Sequence, residues 1–311
     1  MANAEPAVFF HADDYGITLQ QAKDILALSS ACGGTGALNS ISIFANSPAY
    51  EESLQLAKPF VKEGKIEIGL HLNLVEGRCL SNPLNVPLLV NDQGFFKNDF
   101  LSLLRLSKTK QRNELLAQIS HELAAQIKRF IESLPSKKES LHLDSHQHTH
   151  CIPLVFQGLL DALNQTNAKV SCLRAPLDPL LLYRKARINS KGDIRQESSV
   201  QRPPLINRAK ILLINRLRTE CETELVPWSD AASDQSPLFC GIAFSGCMSR
   251  FNKALLNEFK NEAAHQNRSL EILFHPVSVP LDECLDPSHT AFAEACASTE
   301  RDLEASVLRE L

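Results

Sequence analysis

Seven short apolar runs, several rich in β-branched residues, punctuate the chain: AVFFH at 7–11, NSISIFA at 39–45, IEIGLHL at 66–72, SLHLDSH at 140–146, KVSCLR at 169–174, LFCGIAF at 238–244 and LEILFH at 270–275. Each has the length of a strand, and stretches with helical spacing lie between them. Between 111 and 134, Leu115, Ile119, Leu123, Ile127, Phe130 and Leu134 recur every three or four residues, as one face of a helix demands. Strand then helix, repeated, predicts an α/β fold with a parallel sheet covered by helices. A chain of 311 residues, 44% of them hydrophobic, can bury a core large enough for one such domain across 1–311. Seven strands rather than eight predict a deformed, incomplete (β/α) barrel.

Polar residues gather where these runs stop. Asp13 and Asp14 follow the first, His71 and Asn73 close the third, His146 the fourth, Arg174 the fifth, Ser245 the sixth and His275 the seventh. A parallel sheet builds its site at the carboxyl ends of its strands, so this placement points chemistry at one face.

Charge changes the picture in one segment. The formal net charge is only -4, so no global field favours nucleic acid. From 182 to 218, however, ten Lys/Arg (184, 185, 187, 191, 195, 202, 208, 210, 216, 218) stand against two acids (193, 197). This basic insertion reads first as a solvated surface and second as a lid for an anionic or membrane-associated substrate. The apolar residues of 205–217 wrap most of a helical wheel, so the sequence alone defines no clean membrane-surface helix. Nine scattered cysteines without a CxxC pair read as buried thiols. With no basic-then-apolar leader and no long apolar run, the expected location is the cytoplasm.

The densest chemistry lies in LHLDSHQHTH, 141–150, which holds His142, Asp144, His146, His148 and His150. Imidazoles beside a carboxylate are a usual ligand set for a catalytic divalent metal. Alternation along a strand lets His142, Asp144 and His146 share a face. HADD supplies two adjacent acids, which suit a division of labour: one holds a cation, the other takes a proton. The plainer reading of Asp13-Asp14-Tyr15-Gly16 is a turn and helix cap. CGGTG at 32–36 lacks the Lys-Ser/Thr of a phosphate loop, and no GxSxG is present.

HADDYG, GLHLNL, LDSHQHTH and the late FHP, in this order, resemble the YdjC-like carbohydrate deacetylases, a family that includes chito-oligosaccharide deacetylases and is related to the NodB-type polysaccharide deacetylases. The resemblance runs from about Val8 to Pro276. It implies a deformed barrel and hydrolysis of an N-acetyl group from an amino sugar. It further implies that Asp14, His71 and His146 hold one divalent ion, zinc or magnesium, with Asp13 as general base and His275 as the acid for the leaving amine. Asp144, His148, His150, Arg174 and Asn73 are implied as substrate-facing or supporting groups, and a homodimer is implied by the resemblance alone. The chain departs from the family's usual Asn at His11, Phe at Tyr15 and Gly at Val277; these leave the ligand positions intact and bear on substrate choice. Two rivals stay open: another metal hydrolase such as a phosphoesterase, and a non-catalytic sugar- or metal-binding protein.

Overall fold

The computed structural model describes residues 5–190, 200–225, 228–232 and 235–311. Each apolar run yields one strand: β1 (Val8–Tyr15), β2 (Ser40–Ile43), β3 (Glu67–Leu72), β4 (Leu141–Ser145), β5 (Val170–Leu173), β6 (Leu238–Cys240) and β7 (Leu270–Phe274). All their pairings are parallel, in the order β5-β4-β3-β2-β1-β7-β6. The sheet curls into a half-barrel with β1 near its middle and β5 and β6 as its two edges.

Helices cover the outside: α1 (Leu19–Leu26), α2 (Tyr50–Lys62), α3 (Phe100–Leu106), α4 (Arg112–Ser133), α5 (Pro153–Thr166), α6 (Leu180–Ser190), α7 (Leu205–Glu224), α8 (Lys253–His265), α9 (Thr290–Cys296) and α10 (Glu300–Glu310). Helix α4 matches its predicted span, and Leu115, Ile119, Leu123, Ile127 and Phe130 are all buried. It packs on α5 at Gly158, where an added Cβ would lie 2.6 Å from Ile119 Cγ2. Gly158→Ala is therefore expected to lower stability by about 1–3 kcal/mol, because a packed interior resists even one methyl group; equilibrium denaturation reads it directly.

Two sequence expectations shift. The sixth strand stops at Cys240, and Ile242–Phe244 forms a 3-10 turn, so Ser245 lies beyond the strand rather than at its end. The basic segment resolves into α6 and α7; Lys191, Asp193, Arg195 and Glu197 of that segment fall outside the described residues. The two sheet edges are joined by side chains instead of a strand ladder. Ser236 Oγ donates to the Leu173 carbonyl at 2.7 Å, and Asp178 Oδ2 accepts from Gly241 N and Ala243 N at 3.0 and 2.8 Å. No helix among the described residues is long and apolar enough to cross a membrane. None of the nine cysteines is in a disulfide, and six are buried.

Candidate active site

Adjacent residues of a regular strand face opposite ways, yet Asp13 and Asp14 both serve one site. A bulge in β1 explains this. Ala12 pairs with Ile41 and Tyr15 with Ile43, so β1 fits three steps where β2 has two. Asp14 absorbs the extra residue at φ 60, a left-handed conformation that Asp tolerates better than most side chains. The Gln21 side chain clamps the turn, donating to the Asp14 carbonyl at 2.9 Å and accepting from Gly16 N and Ile17 N. The cap of α1 is Thr18, which overturns the reading of the acid pair as a helix cap.

Asp13 is organised by Arg174, which stands at the end of β5 and is fully buried. Its Nη1 and Nη2 donate to Asp13 Oδ2 and Oδ1 at 2.9 and 2.8 Å, Nη2 lies 2.9 Å from Asp144 Oδ2, and Nε donates to Glu271 at 2.6 Å. One guanidinium thus answers three carboxylates, which a planar fork of donors allows and an ammonium does not. Burial would raise the Asp13 carboxyl, but Arg174 and His71 outweigh it and hold the group well below the usual carboxylate range. Asp144 is lowered in the same way. His11 lies beneath the pair, its Nε2 3.2 Å from Asp13 and 3.4 Å from Asp144. Burial alone would lower this imidazole, but the two acids push it up to about 9.

The second acid meets two histidines. Asp14 Oδ1 lies 3.1 Å from His146 Nδ1 and 3.5 Å from His71 Nε2, and one ligand atom from each of the three residues falls within 4.8 Å of the others. His71 Nδ1 is hydrogen-bonded to Asp144, which orients the ring and leaves Nε2 facing Asp14. Nε2 of His71 and of His146 are both buried without a hydrogen-bond partner among the described residues. Buried nitrogens are seldom left so, and two beside a carboxylate suit a divalent metal, with imidazole favouring zinc or another transition ion. Burial would lower His71, but Asp13 and Asp144 push it up to about 10, so metal binding there would displace a proton. A second group, His11, Asp13 and Asp144, has the spacing of a metal site. Arg174 already supplies its positive charge.

The other predicted residues fall as follows. His275, at the end of β7, is 27% exposed, with Nε2 4.0 Å from Asp13 Oδ2. Burial pushes it down to about 4, so its resting ring is neutral at pH 7. His150 bonds Ser145 Oγ through Nδ1 and the Arg174 carbonyl, at 2.9 Å, through Nε2. His148 lies edge-on to Phe239, next to Gln147, and both Gln147 and His148 have positive φ. Asn73 spends its side chain inside the chain, on Asn46, the Glu76 carbonyl and the amides of Val75 and Glu76. His142 is buried 6.0 Å from the His11 ring, and burial lowers it to about 3.

Several residues at the site carried no assigned role in the sequence reading. Arg301, on α10, donates to Asp14 Oδ2 at 2.7 Å and holds the oxygen turned away from the histidines. Glu304 accepts from the His275 amide at 2.6 Å. Phe44 and Phe292 pack edge-on against His146 at 5.3 and 4.8 Å. Only Glu271 left a readable signal, a lone charge inside the apolar run LEILF.

Comparison with known proteins places the chain among relatives. The chain is 29% identical to a carbohydrate deacetylase of Danio rerio over 173 residues, 55% of this chain and 50% of that protein. It is 32% identical to one of Mus musculus over 167 residues, 53% of this chain and 49% of that protein. It is also 29% identical to a chitooligosaccharide deacetylase of Citrobacter koseri over 152 residues, 49% of this chain and 53% of that protein. The matches thus span about half the length of these curated relatives. A solved structure of a cellobiose-phosphate cleavage protein from Enterococcus faecalis superposes with a TM-score of 0.56 over 98% of this chain and 91% of that one, at 17% identity, a likeness of fold. The family model described as YdjC-like protein matches residues 7–310, which takes in β1 to β7 and every residue of the site, and the chain belongs to that family.

Proposed function

We propose that the protein is a metal-dependent carbohydrate deacetylase that hydrolyses the N-acetyl amide of an amino sugar. The observation that carries this reading is the placing of Asp13 and His275, 4.0 Å apart, beside the Asp14, His71 and His146 group. The names of the curated relatives support the same reaction. Asp14, His71 and His146 would hold a divalent ion, which supplies Lewis-acid polarisation of an acyl carbonyl and acidifies water.

The chain's own residues do the proton work. Asp13, kept ionised by Arg174, takes the proton from water as its oxygen attacks the acetyl carbon. A carboxylate of such low proton affinity does not keep that proton. Neutral His275 receives it and delivers it to the amide nitrogen as the carbon–nitrogen bond breaks, giving acetate and a free amine. This order removes any need for a resting imidazolium at His275. Arg301 fixes Asp14, and Asp144 fixes His71, so neither carboxylate is free to act as a competing base. A two-metal phosphoesterase would need a second cation at His11, Asp13 and Asp144, and the guanidinium of Arg174 stands against it.

The test is acetate release by metal-reconstituted protein from a panel of N-acetylated sugars, including lipid-linked ones. Release from at least one sugar, abolished by a chelator and lost together with metal binding in His146→Ala, is expected. Full metal occupancy without acetate from any sugar would overturn the reading.

A further inference from the structure

Helix α7 is apolar on two faces, and only one of them is buried among the described residues. Inward, Ile211, Ile214, Leu217 and Cys221 are buried. Asn207 anchors the helix to the carbonyls of Ala243 and Ser245 at 3.2 and 3.0 Å, and Cys221 Sγ donates to the Cys151 carbonyl. Outward, Leu205 is 77% exposed, and Ile206 and Leu212 are each 67% exposed. At about 3.6 residues per turn, Leu205, Ala209, Leu212 and Arg216 share one arc, Ile206 lies on its edge, and Arg208 and Lys210 flank it on either side. Both flanking cations are exposed, and no carboxylate of the described residues pairs with either. The wheel that looked apolar all round is thus two half-wheels with different neighbours.

Exposed large apolar side chains concentrate on two helices that are consecutive in the chain. Of the nine large hydrophobic residues exposed among the described residues, five (Leu181, Ile188, Leu205, Ile206, Leu212) lie on α6 and α7. Across α6 and α7 seven Lys/Arg (184, 185, 187, 208, 210, 216, 218) stand against three Glu (220, 222, 224), an excess of four in a chain that is acidic by four; on α7, Arg216 and Arg218 pair with Glu220 and Glu222. An apolar stripe edged by Arg and Lys lies flat in the headgroup layer of a membrane, where the long basic side chains meet lipid phosphates and the aliphatic ones enter the acyl boundary.

We propose that the outward face of α7 docks the protein on the surface of an anionic lipid bilayer. The helix packs on Ile242–Phe244 and on His146–Cys151, the segments that follow β6 and β4. Docking therefore brings the site's end of the sheet to the headgroup layer. That the acylamino substrate is carried at that surface rests on the deacetylase reading; the docking itself does not.

Sedimentation of the full chain with vesicles of phosphatidylcholine alone, or with added phosphatidylglycerol, tests this. Binding to the anionic vesicles is expected, weakened by high salt. A triple Leu205→Ser, Ile206→Ser, Leu212→Ser variant and a double Arg208→Glu, Lys210→Glu variant should each lose about tenfold or more in affinity while unfolding at the wild-type temperature. Absence of vesicle binding, or equal binding by wild type and variants, would overturn the proposal. So would wild-type self-association in light scattering that the triple variant abolishes without any vesicle binding, since a second copy would then be the occupant. None of these readouts uses deacetylation, so failure here leaves the proposed reaction standing and failure of the reaction leaves the docking standing.

Discussion

Asp13→Asn should lower acetate release by about a thousandfold, or about 4 kcal/mol of barrier, while leaving the metal bound. The expectation rests on how the two acids are held. Asp14 faces the two imidazoles, whereas Asp13 is held by Arg174, so removing the Asp13 charge removes no atom of the Asp14, His71 and His146 group; it takes away one of the two charges that favour a proton on His71, the proton that metal binding displaces. Asparagine keeps the shape and the acceptor oxygen but cannot take a proton. Arg174 retains Asp144 and Glu271, so its charge stays answered and the fold persists. Activity of acetylated sugars against metal content, measured on one preparation, separates the roles. Loss of the metal together with activity would place Asp13 among the ligands instead.

Arg174→Met should cost about 3–5 kcal/mol of stability, because it leaves Asp13, Asp144 and Glu271 buried close together without their shared cation. The penalty should depend on pH, with a sign that follows from the direction of the shifts. In the wild type, Arg174 helps hold Asp13 and Asp144 below their unfolded values despite burial, so their contribution is present above about pH 4 and is lost as pH falls further. In the variant the same carboxyls lose that support and protonate more readily in the folded state. The stability gap should therefore be wide at neutral pH and narrow as pH drops towards 4. Denaturant unfolding of both proteins across that window measures it. A gap that stays constant with pH would mean that Arg174 contributes packing rather than charge.

The strands and the end of the sheet that carries the site were legible because both follow from local pattern. Apolar runs mark β1 to β7, and parallel topology puts their carboxyl ends on one side. Where the pattern failed, tertiary contact decided. The bulge that turns Asp14 towards His146 depends on the register of β1 against β2, which no local run encodes. GIAF has strand composition, yet Ile242–Phe244 forms a tight turn whose amide at Ala243 is claimed, with that of Gly241, by Asp178. Arg301 and Glu304 sit in TERDLEASVLRE, which reads as a solvated helix until its docking buries them against Asp14 and His275. The outward face of α7 was hidden for the opposite reason: its apolar residues could not be divided between core and surface until the packing of Ile211, Ile214 and Leu217 was known.

The most direct test of the central claim is to quantify acetate and free amine together as the metal-loaded protein acts on an N-acetylated sugar. The account predicts that the two appear in equal amounts, that both vanish with a chelator and that both return when the metal is restored. Consumption of the sugar with no new amine, or equal amounts unaffected by the chelator, would contradict it.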